Sequence, residues 1–272
     1  MYFKNMKDMR VIAPTICDVL GVRHPKSAER LGLSKVTNSL KPTDRFAVIV
    51  IDALGISTWN KARSNTPTLN LLEDINSTVI RSVMKSITPV NFATMLTGAS
   101  PEVHRITDRT MPLKVETIFD VLSEKGMTSS TAARSLSSLG ILISPHADHP
   151  RIAESNLDKD VTANAISSIL DGDNLLWVQL LDVDDAGHKY GPYSKESVEA
   201  VQRADSNLRK IIESASSEDY SVIVLADHGQ HTDQDTGRGT HGTNIGEDLE
   251  VPLFWATSSQ ISLSIFGRQN LR

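Results

Sequence analysis

One cysteine stands in 272 residues. Cys17 alone can make no intrachain disulfide and no cysteine-based zinc site. That usage fits a reducing, cytoplasmic setting. Cys17 lies among Val11, Ile12, Ile16, Val19 and Leu20, an apolar helical pattern. A packed core thiol is therefore expected rather than a nucleophile. Long apolar runs are also missing. No window approaches the ~18 uninterrupted apolar residues of a membrane span. The N-terminal stretch MYFKNMKDMRVIAPT lacks an apolar run of signal-peptide length. The expectation is a soluble, intracellular chain with no membrane partner. Basic character is lacking as well: 28 Lys and Arg face 33 Asp and Glu, a formal charge of −5. Without a long basic run there is no footprint for nucleic acid.

What the chain does have is buried-strand sequence. FAVIVI (46–51), LLWVQLL (175–181) and YSVIVLA (220–226) are near-continuous apolar runs. Runs without alternation suit parallel strands covered on both faces. Shorter strands are expected at 127–133 and 251–256. Helical patterns separate them, over 69–75, 115–126, 161–172 and 194–215. Strands alternating with helices predict an α/β fold, a mostly parallel central sheet with helices on both faces. With 39% hydrophobic residues, one domain over 1–272 is the economical reading. Residues 134–160 are the candidate for a small lid.

The polar residues that follow these strands share one chemistry. Asp52 follows the first run. Asp182, Asp184, Asp185 and His188 follow the second, and Asp227 and His228 the third. Ligands in open α/β sheets bind beyond the carboxyl ends of the strands. One acid after a strand is usually a turn former. Three strand ends with acids, two of them with histidine, exceed what capping needs. Taking Asp52, Asp184 and Asp227 with His188, His228 and His241 of GTHGTN gives three carboxylates and three imidazoles. This donor set suits two divalent ions, zinc, manganese or iron rather than calcium. Paired ions of this kind clamp phosphoryl groups.

A nucleophile is available in SITPVNFATMLTG (86–98). Thr88 followed by Pro89 predicts a helix N-cap with proline at the first helical position. A hydroxyl there sits at the positive end of the helix dipole, which favours an alkoxide and a phosphate. Simple capping explains the same local pattern.

In this order the motifs resemble the alkaline phosphatase superfamily, and most closely its nucleotide pyrophosphatase/phosphodiesterase branch. The elements are Asp52 after its strand, TPVNFATMLTG (88–98), DDAGHKYGP (184–192), ADHG (226–229) and GTHG (239–242). From Asp52 to Gly242 they span about 70% of the chain. The resemblance implies an alkaline phosphatase-like three-layer sandwich and a metal-dependent phosphoric ester hydrolase. It implies one metal, most readily zinc, on Asp184, His188 and His241. A second would lie on Asp52, Asp227, His228 and the Thr88 oxygen. Thr88 would attack phosphorus on a small phosphorylated substrate, and water would hydrolyse the phospho-threonine. Asn91 and Arg109 are the expected substrate contacts. Asp185 is expected beside the ligands or in a turn. Asp182 is expected to orient a ligand histidine or to cap a turn.

Two features depart from that family. Relatives carry P-x-x-H-G-I-x-x-N after the nucleophile helix, whereas this chain has PEVHRITDR (101–109). Arg105 replaces the glycine and Arg109 the phosphate-binding asparagine. An arginine grips two phosphate oxygens with full charge, which leaves monoesters, diesters and phosphonates open. A phosphotransferase or phosphomutase, and a non-catalytic metal-binding relative, also stay open on these residues. Secondly, VIAPTICDVLGVRHP (11–25) resembles a helix that sulfatases carry near their C-terminus. It is expected to pack on the same core here.

Overall fold

The computed structural model describes residues 7–40 and 42–267. Its strands are β1 (Phe46–Ile51), β2 (Ser77–Arg81), β3 (Ser129–Arg134), β4 (His149–Ala153), β5 (Leu175–Leu180), β6 (Ser221–Leu225), β7 (His231–Thr232), β8 (Gly239–Thr240) and β9 (Glu250–Ala256). The helices through the nucleophile segment are α1 (Ile12–Leu20), α2 (Ser34–Leu40), α3 (Ile56–Ala62), α4 (Pro67–Ile75), α5 (Thr88–Thr97) and α6 (Pro101–His104). They are followed by α7 (Ile118–Glu124), α8 (Asp158–Asp171), α9 (Asp182–Tyr190), α10 (Lys195–Ser217), α11 (Gly246–Leu249) and α12 (Ser258–Phe266).

Seven strands form one sheet in the order β2-β9-β6-β1-β5-β3-β4. β1 pairs in parallel with β5 and β6, and β3 with β4 and β5. β9 runs antiparallel to both β6 and β2. β1, β5 and β6 are buried at every position, including Gln179 in the middle of β5. Strands buried on both faces need helices on both faces, as the unbroken apolar runs predict. The sheet is therefore the expected α/β, mostly parallel, helix-flanked one.

The two edge strands carry no apolar run. β2 (STVIR) and β4 (HPRIA) are only partly buried. Residues 134–160, the lid candidate, supply β4 and a π-helical turn at Leu139–Ile143. β3 (SSTAAR) is buried along its whole length although four of its six residues are polar. Two of its three hydroxyls find partners: Ser129 Oγ donates to Asp148 at 2.8 Å, and Thr131 Oγ1 lies 2.7 Å from Ser144 Oγ.

α1 is buried along nearly all of its length and packs against α2 and α5. It ends at Gly21, whose φ of 67° is left-handed and costs glycine little. Residues 11–25 thus lie in the layer that carries Thr88. α5 itself starts one residue earlier than the capping pattern predicts. Ile87 is the extended N-cap (φ −128°, ψ 150°), Thr88 the first helical residue and Pro89 the second. Proline still occupies a position where no helical donor is needed.

Candidate active site

β1, β5 and β6 are neighbours, so the residues that follow them converge at one edge of the sheet. Asp52 follows β1, and Asp227 and His228 follow β6. Their ligand atoms lie within 4.8 Å of one another. His228 Nε2 is 3.4 Å from Asp52 Oδ1 and 3.4 Å from Asp227 Oδ2. All three residues are buried. Thr88 Oγ1 stands 3.1 Å from His228 Nε2, so the start of α5 points into this group.

The second group is Asp184, His188 and His241, again with ligand atoms within 4.8 Å. The chain does not stop at a strand end here. α9 begins at Asp182, so Asp184 and His188 are an i, i+4 pair on one helical face. His188 Nε2 is 3.3 Å from Asp184 Oδ1 and 3.2 Å from His241 Nε2. This group is more open, with the His188 side chain 45% exposed. The His228 and His241 rings stack at 3.9 Å and join the two groups.

Each imidazole is oriented by its other nitrogen. Nδ1–H of His188 donates to the Gly239 carbonyl at 2.9 Å, that of His228 to Gly229 at 3.0 Å, and that of His241 to Ser86 at 3.0 Å. A carbonyl can only accept, so the tautomer leaves every Nε2 lone pair facing the cluster. The carboxylates are held too. Gln179 Nε2 donates to Asp52 Oδ2 at 2.5 Å, and Gln230 Nε2 to Asp184 Oδ1 at 2.6 Å. Ser82 Oγ donates to the Asp227 carbonyl at 2.6 Å.

Two motif glycines make room for this. A Cβ on Gly187 would lie 1.7 Å from Gln230 Oε1, and a Cβ on Gly229 would lie 2.0 Å from the Glu247 carbonyl. Neither position can carry a side chain without shifting its neighbour.

The electrostatics are unbalanced in the protein alone. Burial, and then the charges of Asp227 and Asp184, push Asp52 well above the usual carboxylate range. Burial, with Asp184 beside it, raises Asp227 to about 7. Asp184 is raised as well, chiefly by burial. Burial and the neighbouring His241 hold His228 well below its ordinary value, hence neutral. Asp52 Oδ1 and Asp227 Oδ2 are buried with no hydrogen-bond partner. Orphaned carboxylate oxygens facing imidazole lone pairs are costly unless a cation joins them. The donor set of carboxylate oxygen and imidazole nitrogen fits a divalent transition metal in each group.

All six expected metal-ligand residues and Thr88 are thus brought together. The two expected substrate contacts are not. Asn91 is fully buried. Its Oδ1 accepts from Val83 N at 2.9 Å, and its Nδ2 faces the Ile87 and Lys85 carbonyls at 3.2 and 3.5 Å. Its amide is committed to the loop entering α5. Arg105 and Arg109 are exposed beyond α6. Among the described residues, neither is hydrogen-bonded to the cluster. His104 of the same segment is a buried structural histidine, 2.9 Å from Thr94 Oγ1, and burial lowers it to about 4.

The other acids of the second strand end have a separate partner. Asp182 and Asp185 both pair with Arg134, at 2.5 and 2.6 Å. Arg203 adds a 3.3 Å contact to Asp182. Asp182 therefore orients no ligand histidine. Gln179, Gln230 and Arg134 were not singled out by the motifs. Gln179 alone left a signal, as the one polar residue inside LLWVQLL.

Comparison with known proteins agrees with this geometry. Residues 46–117 and 143–243 match the type I phosphodiesterase / nucleotide pyrophosphatase family. A GPI ethanolamine phosphate transferase 1 from Yarrowia lipolytica is 28% identical over 102 residues, 35% of this chain and 10% of that protein. Phosphonoacetate hydrolase from Sinorhizobium meliloti 1021, in complex with phosphonoformate, superposes with a TM-score of 0.57 at 17% identity. That match covers 71% of this chain and 59% of the other. The C-terminal periplasmic domain of EcEptC from Escherichia coli, in complex with Zn, also gives 0.57, at 16% identity, covering 81% and 74%. The chain thus spans about a tenth of the length of the curated relative and under two thirds of the hydrolase. Among the described residues, no helix is long and apolar enough to cross a membrane.

Proposed function

Because the chain belongs to the type I phosphodiesterase / nucleotide pyrophosphatase family, we propose that it hydrolyses phosphate esters through a phospho-threonine on Thr88. The observation that carries this is the place of the Thr88 hydroxyl, 3.1 Å from His228 Nε2, at the focus of a buried carboxylate–imidazole group. In this reading Asp52, Asp227, His228 and Thr88 hold one divalent ion, and Asp184, His188 and His241 hold another. Zinc is the ion favoured, with manganese and iron as alternatives. Bound ions would supply positive charge against the phosphoryl oxygens and ease deprotonation of the Thr88 hydroxyl.

The chain's own contribution is position. Thr88 opens a ten-residue helix, whose first backbone N–H groups face a phosphoryl group placed at its end. The Thr88 oxygen forms a bond to phosphorus, and the bond to the leaving oxygen breaks. That oxygen keeps the electron pair and gains a proton. Water then attacks the phospho-threonine and restores the hydroxyl. Asn91 keeps the loop before α5 in register during both steps. Arg109 is carried here as a contact for the part of the substrate that is not transferred.

A second reading is favoured by the ethanolamine phosphate transferase match. There an alcohol, not water, accepts the phosphoryl group from Thr88. The test is a screen of chromogenic monoesters, diesters and phosphonates with zinc and with manganese, with and without an added acceptor alcohol. Thr88→Ala should keep its metal and lose turnover by about 10³-fold or more, the scale of deleting a nucleophile. Turnover within tenfold of wild type would rule out attack by Thr88. The lone buried Cys17 supports a cytoplasmic setting, whereas the E. coli structure is of a periplasmic domain. Cell fractionation distinguishes the two.

A further inference from the structure

We propose that Arg134, working through Asp158, is a positioning residue for the half-site of Asp184, His188 and His241. This rests on the reading that divalent ions bind the two groups.

Arg134 ends β3, and its side chain is only 5% exposed. Nε and Nη2 donate to Asp158 Oδ1 at 3.0 and 2.5 Å. Asp158 is fully buried at the start of α8 and has a second task. Its carboxylate accepts the backbone N–H of Leu181 at 2.9 Å and of Asp182 at 2.8 Å. These are the N-cap and first residue of α9, where donors have no partner within the helix. Arg134 meanwhile reaches the side chains of Asp182 and Asp185 in the same turn, at 2.5 and 2.6 Å. The bonds that Arg134 and Asp158 make to α9 end on Leu181, Asp182 and Asp185. They bracket Asp184, and His188 follows one turn later.

α9 needs such a hold. Its buried residues are Val183, Ala186 and Gly187, so apolar packing through large side chains comes from Val183 alone. Three acids in one turn also repel one another unless a cation lies among them. Arg134 supplies that cation, and its planar fork serves several oxygens at fixed angles. The other half-site differs. Asp52 and Asp227 directly follow strands buried along their whole length. They are placed by the sheet and make no contact with Arg134 among the described residues. Loss of Arg134 should therefore act on one half-site and spare the other.

The experiment is bound zinc per chain, by elemental analysis after equilibration at a series of buffered free zinc concentrations. Wild type should bind two ions. Arg134→Met should keep one with wild-type affinity and bind the second about 10- to 100-fold more weakly, the usual cost of losing a partner behind a ligand. Arg134→Lys, which keeps the charge without the fork, should fall between. If Arg134→Met does not fold, Asp182→Asn with Asp185→Asn removes the side-chain links to α9 and leaves Arg134–Asp158 intact. The same selective weakening is expected of it. Folded variants that bind both ions as wild type does, or weaken both equally, would overturn the proposal. Wild type that binds no metal would overturn the metal reading itself.

Discussion

Two trios of carboxylates, each with a member in the first turn of α9, are resolved in opposite ways. Asp158, Asp182 and Asp185 surround Arg134, and every one of them has its cation within 2.6 Å. Asp52, Asp184 and Asp227 face neutral-tautomer imidazole nitrogens in place of a cation, and two of their oxygens are buried without a hydrogen bond. The first trio is closed by the chain itself. The second is closed only if something cationic is added. Clusters of acids are therefore not equivalent: what separates them is whether a guanidinium has been folded into the middle.

The comparison can be broken at several points. The largest effect is expected in the open trio. Asp52→Asn should remove a metal ligand and lower turnover by more than the roughly 100-fold that losing an outer-shell partner costs. Folding stability should change little or even rise in metal-free protein, because one buried, strained carboxylate has gone. Metal content and a denaturant titration without metal measure both halves of this. Asp158→Asn in the closed trio should do the reverse. It leaves Arg134 in the interior without its buried partner, a loss of about 3–5 kcal/mol for a broken buried pair, read as a lower denaturation midpoint. Equal stability losses in the two variants would erase the distinction between the trios.

Chelation sharpens the contrast further. Stripping metal should lower the thermal midpoint of wild type, by about 2.7 kcal/mol of stability when free metal had been at 100 times its dissociation constant. The smallest effect is expected for Asp185→Asn. Its side chain is 61% exposed, and exposed pairs contribute about 0–1 kcal/mol. A larger loss of stability would mean that Arg134 depends on Asp185 more than its exposure implies.

The pattern of what the sequence disclosed follows from the same physics. Strands buried on both faces need apolar side chains throughout, so β1, β5 and β6 are legible as FAVIVI, LLWVQL and SVIVL. Edge strands carry no such demand, and β2 and β4 pass unnoticed in STVIR and HPRIA. β3 is read only approximately because polar residues dominate it, and the Ser129 and Thr131 hydroxyls are satisfied by Asp148 and Ser144, neither of which is adjacent to it in the chain. The metal-ligand candidates are legible because the chemistry permits few residue types and each stands just after a strand or in a short motif. Asn91 shows where such a pattern stops. A motif position records that an asparagine is present, not whether its amide faces the substrate or the backbone of Val83.

The sequence by itself determined the alternation of strands and helices, the candidate donors Asp52, Asp184, His188, Asp227, His228 and His241, and a threonine beside a helix-starting proline. Each follows from local chemistry: apolar period, ligand type, capping geometry. Only the tertiary structure decided how Asp182, Asp184 and Asp185 differ, though they lie within four residues. Their partners come from β3, α8 and the Gln230 and His241 loops, and the orientation of α9 about its axis selects which acid meets which. Contact across such sequence distances depends on how the sheet and helices stack, and no local pattern records it.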